Sequence, residues 1–260
     1  MASYVIAGAS RGLGYQYLQT LNSNPSNTVI GLARNPSAVQ SQLAADGIPN
    51  VHVLAGDLTS PASLSAAAAE VSKLTNSKVD YLIVNGAYVS DKTSGLTPTG
   101  FVGNEELLKA DFETSINTNV VGVIYTINAF LGLVKASAIK KVVVISTGMT
   151  EPDLIKEAEV AASVTYSASK AATNVVVYKY AVELKSEGVI VLALSPGLVR
   201  TGLSEEMYEY LAEVFRKYEP GFKGAISTKE SVEAQLKVIG AVTIEQSGEF
   251  LSHLGTKRWL

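Results

Sequence analysis

Tyr166 and Lys170 stand four residues apart in the helix-like stretch Tyr166-Ser167-Ala168-Ser169-Lys170. Positions i and i+4 share one helix face, so a phenol and an ammonium at that spacing meet the same ligand. A free tyrosine titrates at about 10 and is a poor base at neutral pH. A neighbouring ammonium stabilises the phenolate and lowers that value, which suits the pair to give or take a proton beside a carbonyl or an alcohol. Taken alone, Y-x-x-x-K is usually a surface pair, and its meaning depends on what surrounds it.

A second chemical signal lies at the start of the chain, in Ala7-Gly8-Ala9-Ser10-Arg11-Gly12-Leu13-Gly14. A strand-like run precedes it and a helical pattern follows. Glycines at 8, 12 and 14 allow a tight turn and close backbone approach to a pyrophosphate, and a helix N-terminus then offers free N–H groups. NAD-binding chains place an acid about 20 residues further on, to bond the ribose 2′-OH. Here Leu32-Ala33-Arg34 occupies that place and no acid occurs before Asp46. A guanidinium pairs well with a 2′-phosphate, and Arg11 adds a second positive charge. The pattern predicts NADP(H).

These residues need a scaffold. Short β-branched runs at 4–7, 28–32, 51–54, 81–84, 142–145 and 189–194 read as strands buried on both faces. Helical patterns fall between them at 12–21, 36–45, 62–74, 105–134 (with a break expected inside it) and 164–185. Strict alternation predicts an α/β chain, a single doubly wound Rossmann domain over 1–260 with a mostly parallel sheet. Such sheets bind ligands at the carboxyl ends of their strands, and every motif above follows a strand.

Composition narrows the function. The net charge is −3, with no basic stripe for nucleic acid and no polybasic cluster for a membrane surface. There is no cysteine, which excludes thiolate chemistry and points to a reducing, cytoplasmic home. The first strand starts too early to leave room for a signal peptide. The apolar stretch 120–134 is shorter than the roughly 20 residues of a spanning helix, and reads as buried. His52 and His253 lack ligand spacing, so no metal site is expected.

Further motifs appear in order: Asp57-Leu58, Asn85-Gly86-Ala87, Asn119-Val120-Val121-Gly122, Ser146-Thr147, and Pro196-Gly197-Leu198-Val199-Arg200-Thr201. With these the chain resembles the short-chain dehydrogenase/reductase family along essentially its whole length, in particular its NADP-type carbonyl reductases. The resemblance implies that Tyr166 protonates a substrate oxygen while Lys170 bonds the cofactor ribose and lowers the tyrosine pKa. The family's serine position falls on Thr147, with Ser146 just before it, and the second hydroxyl is expected to face the sheet interior or bond backbone. Asn119 is implied to hold a water that relays protons to Lys170. Gly8, Ser10, Arg11, Gly12, Leu13 and Gly14 would bind phosphates, and Asp57 and Leu58 the adenine. Asn85, Gly86 and Ala87 would meet the adenine-side ribose, and Pro196, Gly197, Val199 and Thr201 the nicotinamide amide and phosphates. The segment 248–252 would form the last of roughly seven strands.

Three departures stand out. Ala7 replaces a threonine, Gly86-Ala87 departs from the usual N-N-A-G, and the interval from Thr147 to Tyr166 is wide and charged, which predicts an inserted loop or helical turn. Met207, Tyr208, Tyr210, Leu211 and Phe215 suggest a lid over about 202–225. The implied activity is NADPH-dependent reduction of a ketone or aldehyde on a hydrophobic small molecule. The alternatives are an NADP-dependent alcohol dehydrogenase, or a low-turnover cofactor-binding regulator. Apolar residues on the helices carrying Asn119 and Tyr166, such as Val123, Ile127, Val176 and Val177, predict a homodimer or homotetramer.

Overall fold

The computed structural model describes residues 2–260. Seven strands form one sheet: β1 (Ser3–Ala7), β2 (Thr28–Ala33), β3 (Val51–Ala55), β4 (Tyr81–Val84), β5 (Lys141–Ile145), β6 (Ile190–Ser195) and β7 (Phe250–Ser252). Their order is β3-β2-β1-β4-β5-β6-β7 and every pairing is parallel. The chain starts in the middle, winds outward to β3, then returns past β1 to fill the other half. The switch point therefore falls between β1 and β4, where a ligand crevice is expected. Gly248 and Glu249 lie outside the last strand, which is shorter than the 248–252 expected.

Among the described residues, nine α-helices connect the strands: α1 (Gly12–Asn22), α2 (Pro36–Ala45), α3 (Pro61–Leu74), α4 (Glu105–Ile116), α5 (Gly122–Lys135), α6 (Pro152–Glu157), α7 (Val164–Leu184), α8 (Glu205–Arg216) and α9 (Thr228–Ala241). Strand side chains alternate between faces. Val5 and Ala7 join the core under α3, α5 and α7, whereas Ile6 joins the one under α1, α2 and α9. Covering both faces is what turns the strands into unbroken apolar runs. α9 carried no helical pattern strong enough to mark in the sequence, yet its start is legible: Ser227 and Glu230 form a reciprocal capping box.

The expected break in the long central helix is a π-helical turn, Asn117–Val121, between α4 and α5. The whole run Glu105–Lys135 is long and apolar enough to cross a bilayer, longer than the 15-residue apolar stretch alone because α4 extends it. Its α5 half buries Val123, Ile127, Phe130 and Val134 against the sheet. α6 is the helical turn expected in the wide interval before Tyr166.

Candidate active site

The turn after β1 depends on missing side chains. Gly8 has φ +85° and Gly12 φ +56°, which glycine adopts at low cost. A Cβ on Gly14 would stand 2.0 Å from the Gly8 carbonyl oxygen, and one on Gly8 would stand 2.4 Å from Gly86 Cα. The helix, the turn and the end of β4 thus approach to backbone contact, and Asn85 Nδ2 donates to Gly8 O at 2.9 Å. Asn35 and Ser60 cap α2 and α3 through their side chains, but Arg11 does not cap α1, whose first turn holds no acid. The first amides of α1 are open to an anion. Ser10, Arg11 and Arg34 are exposed around this end.

Arg34 and Asp57 lie at the adjacent corner, just past the ends of β2 and β3, near enough for the Arg34 charge to act on the carboxyl. Asp57 accepts from Thr59 N at 2.9 Å and Thr59 Oγ1 at 2.8 Å. Bonds from Thr59, with help from the Arg34 charge, hold its carboxyl below the usual range. Leu58 is buried against Gly86 and Gly122.

Asn119 lies in the π-helical turn, fully buried. Extra residues in a helix turn of that kind re-aim side chains, often at functional sites. The Asn119 amide brackets Tyr88, accepting from its N–H at 2.7 Å and donating to its carbonyl at 3.0 Å, and also donates to Ser169 Oγ at 2.9 Å. Its own backbone carbonyl accepts from Thr173 Oγ1 at 2.7 Å.

The two hydroxyls at the end of β5 point different ways. Ser146 continues the register of Val142 and Val144 toward α7, where its Oγ, almost wholly buried, donates to Asn174 Oδ1 at 2.6 Å. It faces the interior, one of the two outcomes expected, and its partner there is a side chain rather than backbone. Thr147 is half-buried, accepts from Met149 N at 3.2 Å, and lies beside the Tyr166 phenol. Burial pushes that phenol up to about 12, and the hydrogen-bonding Thr147 side chain pulls weakly the other way. Lys170 is not among the groups that shift it. The Lys170 ammonium, 2% exposed, donates instead to Ile145 O at 2.7 Å, and burial lowers it to about 8.

The loop after β6 closes the crevice from the opposite side. Gly197 has φ +82°, and a Cβ there would lie 2.8 Å from His253 Cε1. The buried imidazole fills the space beneath Pro196-Gly197, and burial lowers its pKa. Gly12 faces Thr201, whose Cγ2 would lie 3.5 Å from an added Cβ. The Tyr208 phenol oxygen accepts from the amides of Thr201, Gly202 and Leu203 at 2.6, 3.1 and 3.2 Å. Within α8, Tyr208 and Phe215 point inward, while Met207 and Tyr210 are exposed beside Leu203.

Glycine turn, Thr147, Tyr166, Lys170 and Thr201 therefore gather at the carboxyl ends of β1, β4, β5 and β6. The family model for short chain dehydrogenase matches residues 3–211. The chain is a short-chain dehydrogenase. Among relatives, the short-chain dehydrogenase/reductase AacuF of Aspergillus aculeatus is 42% identical over 100% of both chains. The short-chain dehydrogenase/reductase atnB of an Arthrinium species is 39% identical over 100% of both. Among solved structures, NADPH-bound carbonyl reductase from chicken fatty liver superposes with a TM-score of 0.76 at 26% identity, covering 98% of each chain. This dehydrogenase is thus an oxidoreductase whose structural neighbours include carbonyl reductases.

Sequence reasoning missed two residues that hold this short-chain dehydrogenase site together. Asn174 anchors Ser146, and Asp111 binds hydroxyls next to Tyr166. Both act across elements remote in the chain, and no local motif announces them. Tyr208, expected in the lid, also gathers three amides of the loop before it.

Proposed function

We propose that this chain is an NADPH-dependent reductase of ketones or aldehydes on hydrophobic small molecules. The observation that carries the reading is the phenol of Tyr166, held protonated by burial with the Thr147 side chain beside it at the mouth of the crevice. A phenol titrating at about 12 keeps its proton at neutral pH, the form needed to protonate an oxygen as it gains charge. Thr147 is the hydroxyl placed to donate to the same oxygen, stabilising it as it becomes anionic. Lys170 retains N–H donors beyond its bond to Ile145 O, and these suit ribose hydroxyls. Asn119, with its carbonyl engaged by Thr173, acts in this reading by holding Tyr88 and Ser169 beside the site.

The crevice suits a dinucleotide: backbone approach at Gly8 and Gly14, uncapped amides on α1, and Asn85 bonded to the turn. When bound there, NADPH supplies the hydride. Gly8 to Gly14 would hold its phosphates, Asp57 and Leu58 its adenine, Asn85 to Ala87 the nearby ribose, and Pro196 to Thr201 its nicotinamide end. Arg34 beside Asp57, with Arg11, favours a 2′-phosphate. Exposed Leu203, Met207 and Tyr210 support a lid over about 202–225 that receives an apolar substrate.

The assembly we propose is a cytoplasmic homodimer or homotetramer, though not through the residues the sequence suggested. Val123, Ile127 and Val177 are core and Val176 is half-buried, whereas Val175, Tyr178 and Val182 form an exposed stripe along α7. Sedimentation at micromolar concentration checks this, a monomer being the contrary result. The activity is tested by following NADPH oxidation against aromatic and aliphatic carbonyls, with the reverse reaction on the matching alcohols. Turnover in the reductive direction that disappears in Tyr166→Phe supports the reading. Cofactor binding with no turnover on any carbonyl or alcohol would favour the binding-protein alternative.

A further inference from the structure

Three hydroxyls converge on a carboxylate that the chemistry above does not use. Asp111, in α4, is 4% exposed. Its Oδ1 accepts from the Tyr88 phenol at 3.0 Å, and its Oδ2 accepts from Thr93 Oγ1 at 2.7 Å and from Thr165 Oγ1. No cation pairs with it among the described residues. A carboxylate withdrawn from water without a counter-ion is costly unless hydrogen bonds replace its hydration. Burial pushes Asp111 up, but bonds from Thr165, Thr93, Tyr88 and Ser90 outweigh it and hold the group ionised.

The donors come from different parts of the chain. Tyr88 and Thr93 belong to the loop after β4, and Thr165 sits in the first turn of α7, one residue ahead of Tyr166. Two further ties join the same parts: Asn119 brackets the Tyr88 backbone, and Ser163 Oγ donates to Ser94 O at 2.8 Å. Packing alone would be served as well by an apolar residue at 111. A buried acceptor shared by three segments instead requires each donor to point at one spot, which makes the geometry unique.

We propose that Asp111 is a positioning residue for Tyr166: its carboxylate locks the first turn of α7 to the 88–94 loop, so that the phenol and the wall of the substrate mouth keep one register. The inference deepens the reductase reading above and rests on it for its kinetic part.

The test compares the parent with Asp111→Asn, Thr165→Val and Tyr88→Phe in two ways. One is NADPH oxidation on a carbonyl that the parent reduces. The other is the carbon-13 ζ resonance of Tyr166 in ring-labelled protein, assigned with Tyr166→Phe, which needs no turnover. Misplacing a reacting group by an ångström costs on the order of 100-fold, so kcat should fall about 100-fold in Asp111→Asn and about 10-fold in Thr165→Val, with NADPH affinity within about twofold of the parent. Tyr88→Phe, which frees the loop, should raise the carbonyl KM more than it lowers kcat. The Tyr166 resonance should shift in the first two variants while that of Tyr17, on the far face of the sheet, stays in place. A lower Tm with unchanged kcat and an unchanged Tyr166 resonance overturns the proposal and leaves Asp111 a structural group. If Asp111→Asn does not fold, Thr165→Val and Tyr88→Phe decide by the same criteria. If the parent reduces no carbonyl, the functional reading fails, and the Tyr166 resonance still decides whether Asp111 positions it.

Discussion

Strand β5 has a lysine ammonium at each end, and the two are treated differently. Lys141 opens the strand, 7% exposed, and donates to Ile239 O and Gly240 O at 2.8 and 2.9 Å. Those are terminal carbonyls of α9, which lack partners within the helix, so a cation there caps the helix and meets its dipole. The Tyr81 ring lies 5.9 Å below it. Lys170 reaches the other end of the strand and finds a single carbonyl, that of Ile145. Burial lowers both ammonium groups, but Lys170 falls to about 8. The amino ends of the strands are thus closed by groups that satisfy one another, as Asp80 also does with Ser3 and Ser137. The carboxyl ends hold polar groups only partly satisfied by protein, which is the condition for binding and chemistry.

The contrast breaks most easily at the phenol. Tyr166→Phe should lower turnover roughly 1000-fold. Thr147→Ala should lower it about 100-fold or more by removing a donor to the developing oxyanion, while Thr147→Ser keeps much of the rate. Both alanine and phenylalanine variants should bind NADPH nearly as the parent does, as fluorescence titration will show. Abolished turnover in Ser146→Ala, with Thr147→Ala active, would place the carbonyl donor one residue earlier.

Swapping each lysine for methionine sharpens the comparison. The Lys170 pKa drops from 10.5 to about 8 on folding, so the unfolded chain binds more protons between those values. Stability therefore rises with pH across that window, and the full penalty applies below it. Lys170→Met should abolish or severely slow turnover, yet raise stability at neutral pH by on the order of 2 kcal/mol and flatten its slope above pH 8. Lys141→Met should leave turnover intact and lower stability by about 1 to 2 kcal/mol, since two helix-end carbonyls lose their donor. Thermal unfolding across pH, run beside activity, separates the two. Equal responses would show that the ends of the sheet do not differ as described.

Smaller effects follow at the rim. The parent should prefer NADPH to NADH at least about tenfold, or about 1.4 kcal/mol, and Arg34→Asp should erase or reverse that. Equal affinities in the parent would remove Arg34 from the site. Ser146→Ala should cost about 1 kcal/mol by stranding the Asn174 amide, with turnover close to the parent's.

Much of this was written in local pattern. Unbroken apolar runs such as 142–145 and 189–194 announced strands covered on both faces, because a parallel sheet leaves no polar side. The glycines at 8, 12 and 14 announced a turn: a Cβ on Gly8 would collide with Gly86 and one on Gly14 with Gly8, while Gly12 takes a positive φ. Alternation of strand and helix implied the doubly wound order, and Tyr166 with Lys170 followed from helical spacing read together with the ordered motifs around them. Tertiary structure decided what those side chains face. Whether Lys170 lowers the phenol pKa depends on burial and on Ile145 O, which no spacing encodes. Where the Ser146 hydroxyl points turned on Asn174, 28 residues away, and the tie between α4 and the first turn of α7 turned on Asp111, 54 residues from Thr165. The reason is physical: periodicity records which face of an element is apolar, whereas a polar network is defined by the one arrangement in which distant elements place donors and acceptors within hydrogen-bonding distance.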